Sequence, residues 1–117
     1  LGRRTYPRGL DIEIFSFAAL ERMWREAKDA EDREHVTLYL RKRPEIFSTH
    51  NVEGDNDYSG YRLTLDEEND YKLINLIYQK LFPENENFGL EEIIELLKSE
   101  PELVEINKEV EQKHAKY

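Results

Sequence analysis

The chain has 117 residues, no cysteine and a formal net charge of −9. This length corresponds to one domain or to a piece of one, and the lack of cysteine excludes a disulfide framework, a thiolate zinc site and a cysteine nucleophile. The sequence contains neither a membrane-spanning apolar run nor a signal-peptide pattern, so we expect a cytoplasmic protein without a membrane partner. Because the first residue is Leu rather than Met, we also expect a piece of a longer protein.

The charge is distributed unevenly along the chain. Residues 1–50 carry a net charge of +1, and residues 51–117 carry −10. A protein that wraps nucleic acid needs a basic surface, so the acidic C-terminal part argues against a nucleic-acid partner. A small basic cluster lies near the N-terminus, at Arg3, Arg4 and Arg8. It either binds the phosphate groups of a ligand or forms a solvated terminus.

The first predicted element is a strand over residues 10–14. Apolar residues at positions 10, 12 and 14 alternate with Asp11 and Glu13. This pattern is typical of a strand that buries one face and presents its carboxylates on the other. The two carboxylates then suit a ligand site, although an edge strand with a solvated acidic face explains the same alternation.

Two helices are predicted next. In the first, Ser16 is a candidate N-cap and Trp24 falls on an apolar stripe, so we expect Trp24 in the core. The second covers residues 33–43 and ends before Pro44. His35 lies near its start, where an imidazole either donates to a phosphate or sugar hydroxyl or has a purely structural role.

The rest of the sequence predicts two more strands and three more helices. The strands cover residues 46–52 and 61–66, and the helices are one stopped by Pro83, one over residues 90–99 and one opened by Pro101. Asp66 ends the last strand, where α/β folds place ligand-binding side chains, and it is equally suited to cap the following helix. About three strands and five helices predict a mixed α/β fold that is part of a larger sheet.

Recognised catalytic motifs are absent from the sequence. It contains no Gly-rich phosphate loop, no His-Glu-x-x-His motif and no cluster of histidines at metal-binding spacing. What remains is a set of carboxylates at or near the predicted strand ends, namely Asp11, Glu13 and Asp66. Carboxylate oxygens are the ligands that Mg²⁺ prefers.

Three stretches of the sequence resemble the cytidylyltransferase-like family typified by spore coat polysaccharide biosynthesis protein F. They are residues 6–17 (YPRGLDIEIFSF), residues 33–37 (REHVT) and residues 62–66 (RLTLD), the last followed by Glu68, Asn69 and Asp70. The resemblance extends over nearly the whole chain. It implies that residues 1–117 are the C-terminal part of a single nucleotide-diphospho-sugar transferase domain whose N-terminal nucleotide-binding half is absent.

The same resemblance implies a reaction and a site. The intact protein is expected to transfer a cytidylyl group from CTP to a sugar or sugar acid for surface polysaccharide synthesis, with Mg²⁺ as cofactor. Asp66 corresponds to the family's metal ligand. Asp11 and Glu13 are then expected to bind the substrate, and Arg8 and His35 to contact it and act in catalysis.

The sequence departs from the family pattern at two points, and two other functional hypotheses remain. Glu67 and Glu68 stand where relatives often have Thr-Pro, which adds negative charge beside Asp66. Because half of the family's domain is missing, the fragment alone is expected to be inactive and to self-associate through exposed apolar surface. The alternatives are a non-catalytic interaction domain and a glycosyltransferase on the same fold.

Overall fold

The computed structural model describes residues 2–110, which divide into two compact units. Unit 1 contains residues 2 and 3 and Ile12–Gly54, and unit 2 contains Arg4–Asp11 and residues 55–110. No helix within the described range is both long enough and apolar enough to span a bilayer.

Unit 1 contains three helices, α1 (Phe17–Glu26), α2 (Ala30–Glu34) and α3 (Leu38–Arg41). The predicted N-cap of α1 is confirmed, since Ser16 Oγ accepts a hydrogen bond from the Ala19 N–H at 3.1 Å. The single helix predicted for residues 33–43 is wrong, because a turn over residues 35–37 separates α2 from α3. Two successive β-branched residues, Val36 and Thr37, disfavour helix at this point.

The core of unit 1 is built on one stripe of α1. Met23 and Ala27 are buried there and pack with Tyr39 and Phe47. Trp24 is 65% exposed, so the prediction that it lies in the core is wrong. The neighbouring residue Met23 is buried instead, and one residue corresponds to a rotation of about 100° around the helix.

Unit 2 contains α4 (Glu68–Leu81), α5 (Leu90–Ser99) and a 3₁₀-helix (Pro101–Ile106) that pack against one another. These elements confirm the predicted helix positions, except that the last is a short 3₁₀-helix. The core residues share an aliphatic side chain and near-complete burial. They are Leu63, Leu73, Ile77, Leu96, Leu97 and Leu103.

The expected sheet of three strands is wrong for residues 2–110, which contain a single isolated bridge. This bridge joins Arg8 and Arg62 in parallel. The Arg8 N–H donates to the Tyr61 carbonyl at 3.0 Å, and the Leu63 N–H donates to the Arg8 carbonyl at 2.7 Å. Residues 10–14 and 46–52 form no ladder at all. Alternation predicts which side chains share a face but does not supply the neighbouring strand that a ladder needs.

Gly9 makes this bridge sterically possible. Its φ is +105°, and a Cβ built on it would lie 2.3 Å from the Leu63 carbonyl oxygen. Any other residue would therefore strain the backbone and push the two segments of the bridge apart.

We predict that Gly9→Ala lowers the free energy of unfolding by about 1–3 kcal/mol. The matched control is Gly60→Ala, because a Cβ on Gly60 meets nothing within 4 Å. Urea unfolding of both variants measures the difference. Equal stability of the two variants would contradict the proposed close approach.

Candidate functional site

The most heavily bonded side chain of unit 2 is Asp70, the third residue of α4. It is fully buried, and its carboxylate accepts six hydrogen bonds of 2.8–3.1 Å. The donors are Arg62 Nε and Nη2, Thr64 Oγ1, the backbone N–H groups of Asp66 and Glu67, and Asn107 Nδ2. One carboxylate thus ties the bridge segment, the start of α4 and the end of the 3₁₀-helix together.

The charge of Asp70 is balanced by Arg62 in a two-bond pair. Because the Arg62 guanidinium donates to both carboxylate oxygens, it holds the pKa of Asp70 far below the usual range, against the opposing effect of burial. Asn107 and Thr64 lower that pKa further through their hydrogen bonds. The same pairing raises the pKa of Arg62. Asp70 is therefore ionised at neutral pH, and its carboxylate is occupied by hydrogen bonds within the protein.

Asp66, the expected metal ligand, lies just before this network. Its backbone N–H donates to Asp70, but its side chain is 58% exposed and lies 3.8 Å from Arg62 Nη2. Glu67, not Asp66, is the N-cap of α4, so Asp66 does not cap the helix. Sequence reasoning selected Asp66 and missed Asp70. The available signal was a carboxylate at the third helix position, which commonly accepts from the N-cap N–H.

Asp66 does not belong to a cluster of metal-binding side chains in the described part of the chain. Among residues 2–110, no group of three or more carboxylate or imidazole side chains is arranged to hold a metal ion. Asp66 therefore offers one exposed carboxylate. That donor fits Mg²⁺, which proteins often bind through one or two carboxylates while waters and substrate phosphates complete the shell.

A second polar cluster lies in unit 1 around Glu13. Glu13 Oε1 accepts a hydrogen bond from Thr37 Oγ1 at 3.0 Å, and Glu13 Oε2 lies 3.1 Å from Arg41 Nη2. The break between α2 and α3 brings Thr37 into this position. Glu13 is thus held from two sides while part of its carboxylate stays accessible.

The Glu13 cluster borders a cavity of about 350 Å³. Its lining combines two carboxylates, an imidazole, a hydroxyl and two apolar side chains, contributed by Glu13, Phe15, Glu34, His35, Val36 and Thr37. His35 Nε2 lies 4.0 Å from the Glu34 carboxylate. Two of the predicted substrate-binding residues, Glu13 and His35, therefore meet at one cavity, which we call the Glu13 cavity.

The other predicted substrate residues lie in unit 2. Asp11 forms an exposed ion pair with Arg4 at 2.5 Å. Arg8 takes part in the bridge through its backbone, and the residue is exposed. Neither of these side chains lines the Glu13 cavity.

The fold of this chain is similar to that of a known class of enzyme, the cytidylyltransferases. The structure matches a cytidylyltransferase from Leptospira borgpetersenii serovar Hardjo-bovis with a TM-score of 0.82 and 28% sequence identity, over 96% of this chain and 45% of that chain. The resemblance to the cytidylyltransferase-like family is confirmed by this match. A cytidylyltransferase has a nucleotide-diphospho-sugar transferase fold, as predicted, although residues 2–110 lack the expected sheet.

Two proteins are similar to this chain in sequence, and the second of them supports the same family. An uncharacterised protein of Methanocaldococcus jannaschii is 39% identical over 107 residues, which is 90% of this chain and 43% of that protein. The spore coat polysaccharide biosynthesis protein SpsF of Bacillus subtilis is 34% identical over 79 residues, 66% of this chain and 32% of SpsF. No family model matches the sequence. The chain spans less than half the length of each of these relatives.

We predict that Asp70→Asn lowers the free energy of unfolding by about 3–5 kcal/mol, because it leaves the Arg62 guanidinium, whose side chain is only 10% exposed, without its countercharge. The matched control is Asp66→Asn, which removes an exposed carboxylate four residues earlier and is expected to change stability by no more than about 0.5 kcal/mol. Chemical unfolding at neutral pH measures both. A similar loss of unfolding free energy in the two variants would contradict the expectation that the Arg62–Asp70 pair stabilises the protein more than an exposed carboxylate does.

Asp70 also predicts an acid-sensitive stability. The native pKa of Asp70 lies below the unfolded value of about 3.9. The contribution of Asp70 to the free energy of unfolding is therefore complete above about pH 4, and it is lost as the pH falls through the native pKa. Urea midpoints measured from about pH 6 to about pH 2 are expected to decline less steeply in Thr64→Val, which removes one donor to Asp70, than in the wild type. Parallel declines would assign the acid sensitivity to other groups.

Proposed function

We propose that this chain supplies part of the substrate site of a nucleotidyltransferase that transfers a cytidylyl group from CTP to a sugar or sugar acid. The observation that carries the proposal is the match, at a TM-score of 0.82 over 96% of the chain, to a protein described as a cytidylyltransferase. The similarity to SpsF, a polysaccharide biosynthesis protein by name, supports a role in surface polysaccharide synthesis.

In this proposal the Glu13 cavity binds the sugar. Carboxylate oxygens accept hydrogen bonds from sugar hydroxyls, and the Phe15 ring offers an apolar surface for a sugar ring. Glu13 and Glu34 both line the cavity, and their negative charge repels a triphosphate. His35 is then assigned to a hydroxyl of the sugar, where its imidazole can hold or move a proton.

Arg8, Asp11 and Asp66 are assigned to the remaining tasks. Arg8 is exposed and forms no ion pair within residues 2–110, so its guanidinium is suited to a phosphate of CTP. Asp11 is assigned to the substrate as well, although its pair with Arg4 must exchange for it to bind a hydroxyl. Asp66 would hold Mg²⁺, which when bound neutralises triphosphate charge.

A non-catalytic interaction domain is the second candidate. The observation that favours it is the exposure of large apolar side chains in unit 1, among them Ile12, Ile14 and Trp24. Contiguous exposed apolar surface commonly marks a protein interaction site. The two candidates are separated by the turnover experiment that follows.

The test uses a hybrid in which this chain replaces its matched portion of the Leptospira cytidylyltransferase. With CTP, Mg²⁺ and a panel of sugars and sugar acids, we expect pyrophosphate release above that of this chain alone. The unmodified Leptospira enzyme serves as the positive control. A folded hybrid that releases no pyrophosphate with any sugar that the positive control accepts would favour the interaction domain.

In the active hybrid, Asp66→Ala is expected to lower kcat by about 100-fold or more, as for loss of a ligand to the metal that stabilises transition-state charge. Glu68→Ala is the matched control, because it removes a highly exposed carboxylate two residues away. Steady-state pyrophosphate release measures both variants. Unchanged turnover of the Asp66 variant would remove this residue from the reaction.

Glu13→Gln is expected to raise the KM for the sugar by about 10-fold while changing the KM for CTP little, since a charge-assisted hydrogen bond contributes about 1.5–3 kcal/mol. The control is Glu45→Gln, an exposed glutamate of the same unit. Initial rates at varied sugar and varied CTP separate the two constants. A selective rise in the KM for CTP would place the nucleotide, not the sugar, at the Glu13 cavity.

A further inference from the structure

The side chains that line the Glu13 cavity are rich in hydrogen-bond acceptors. Glu13 and Glu34 contribute carboxylates, whose oxygens accept hydrogen bonds and do not donate them. The Thr37 hydroxyl already donates its hydrogen to Glu13 Oε1 at 3.0 Å, so it has only lone pairs left for a ligand. Of the described residues that line this cavity, His35 alone adds a side-chain N–H group. A ligand bound here must therefore supply most of the donors.

The guanidinium that pairs with Glu13 lies outside the cavity lining. Arg41 Nη2 is 3.1 Å from Glu13 Oε2, and the described residues that line the cavity include neither arginine nor lysine. His35 Nε2 lies 4.0 Å from the Glu34 carboxylate, which balances the charge of the imidazole whenever it is protonated. Proteins commonly bind a carboxylate through a guanidinium or an ammonium group. The cavity presents neither group to a ligand.

The apolar part of the lining also disfavours an anion. Phe15 and Val36 are 38% and 59% exposed, so their surfaces are accessible to a ligand in the cavity. The C–H face of a sugar ring can pack against such side chains. An ionised carboxylate placed against them would lose hydration without gaining a countercharge.

We propose that the Glu13 cavity selects an uncharged sugar, bound through its hydroxyl groups, and rejects a sugar acid. Sugar hydroxyls donate to Glu13, Glu34 and Thr37, whereas a carboxylate on the sugar brings no donor and adds a like charge beside the two glutamates. This inference rests on the proposed function, which assigns the sugar to this cavity. It narrows the substrate from a sugar or sugar acid to the uncharged class.

The test uses pairs of sugars that differ only at C6, where an aldohexose has a hydroxymethyl group and its uronate a carboxylate. The pairs are glucose with glucuronate, galactose with galacturonate and mannose with mannuronate. Each sugar is titrated into this chain at neutral pH and constant ionic strength, while the backbone amide signals of residues 13, 15 and 34–37 are followed by nuclear magnetic resonance.

At least one aldohexose is expected to shift these signals saturably, with a Kd at least about 10-fold lower than that of its own uronate, because of the like charge. A uronate that binds as tightly as its hexose, or more tightly, would overturn the proposal. The absence of shifts with all of the sugars would also overturn it, since the cavity would then bind no sugar of either class.

A charge-reversal variant tests whether the lining sets this preference. The side chain of Glu34 is 76% exposed, so Glu34→Lys adds an ammonium group to the cavity with little loss of packing. The ratio of the uronate Kd to the hexose Kd is expected to fall by about 10-fold or more. The matched control is Glu45→Lys, which makes the same charge change at an exposed glutamate of unit 1 outside the lining. A ratio that changes equally in both variants, or in neither, would overturn the proposal.

Failure of this inference and failure of the proposed function give different results. Selective binding of a hexose by this chain, with no pyrophosphate release from the folded hybrid enzyme, would support the inference and overturn the assigned reaction. Pyrophosphate release from the hybrid with equal kcat/KM for a hexose and its uronate would support the reaction and overturn the inference.

Discussion

The Arg62–Asp70 pair is the interaction on which unit 2 depends. A carboxylate with no solvent exposure needs compensation for the hydration it has lost, and Asp70 obtains it from a two-bond guanidinium and four other donors. Those donors belong to three separate segments, so the burial of one charge fixes where α4 begins relative to the bridge and the 3₁₀-helix. Leu63, between Arg62 and Thr64, then enters the aliphatic core.

The helices of unit 2 could be predicted from the sequence because their apolar residues recur at helical spacing and proline or glycine bounds them. The absence of a sheet could not be predicted in the same way. Alternation at residues 10–14 wrongly predicted a strand with a buried apolar face, since Ile12 and Ile14 are 85% and 94% exposed. A ladder also depends on a neighbouring strand, which residues 2–110 do not provide. The core position predicted for Trp24 was wrong because the buried side of α1 contains Met23 and does not extend to Trp24, the next residue around the helix.

The residues of the candidate site were likewise predictable only in part. Sequence reasoning identified Glu13 and His35, and the structure brings both to one cavity because the turn at residues 35–37 interrupts the predicted helix. The family resemblance selected Asp66, whose place at a predicted strand end suited a ligand or a helix cap; its carboxylate is 58% exposed and does not cap α4. Asp70 was missed although its place at the third position of α4 was a local signal; only the bond from Asn107, 37 residues away in sequence, leaves no local pattern.

Asp66 and Asp70 occupy contrasting environments within one short stretch of the chain. The two residues lie four apart, yet one carboxylate is buried and fully bonded while the other is exposed. The backbone N–H of Asp66 is bound to the Asp70 carboxylate, so the main chain that carries the exposed carboxylate is anchored by the buried one. An exposed side chain on an anchored backbone has less conformational freedom to lose than one on a mobile loop. In residues 62–66, Arg62 and Thr64 bind the buried Asp70 carboxylate, whereas the Asp66 side chain remains 58% exposed.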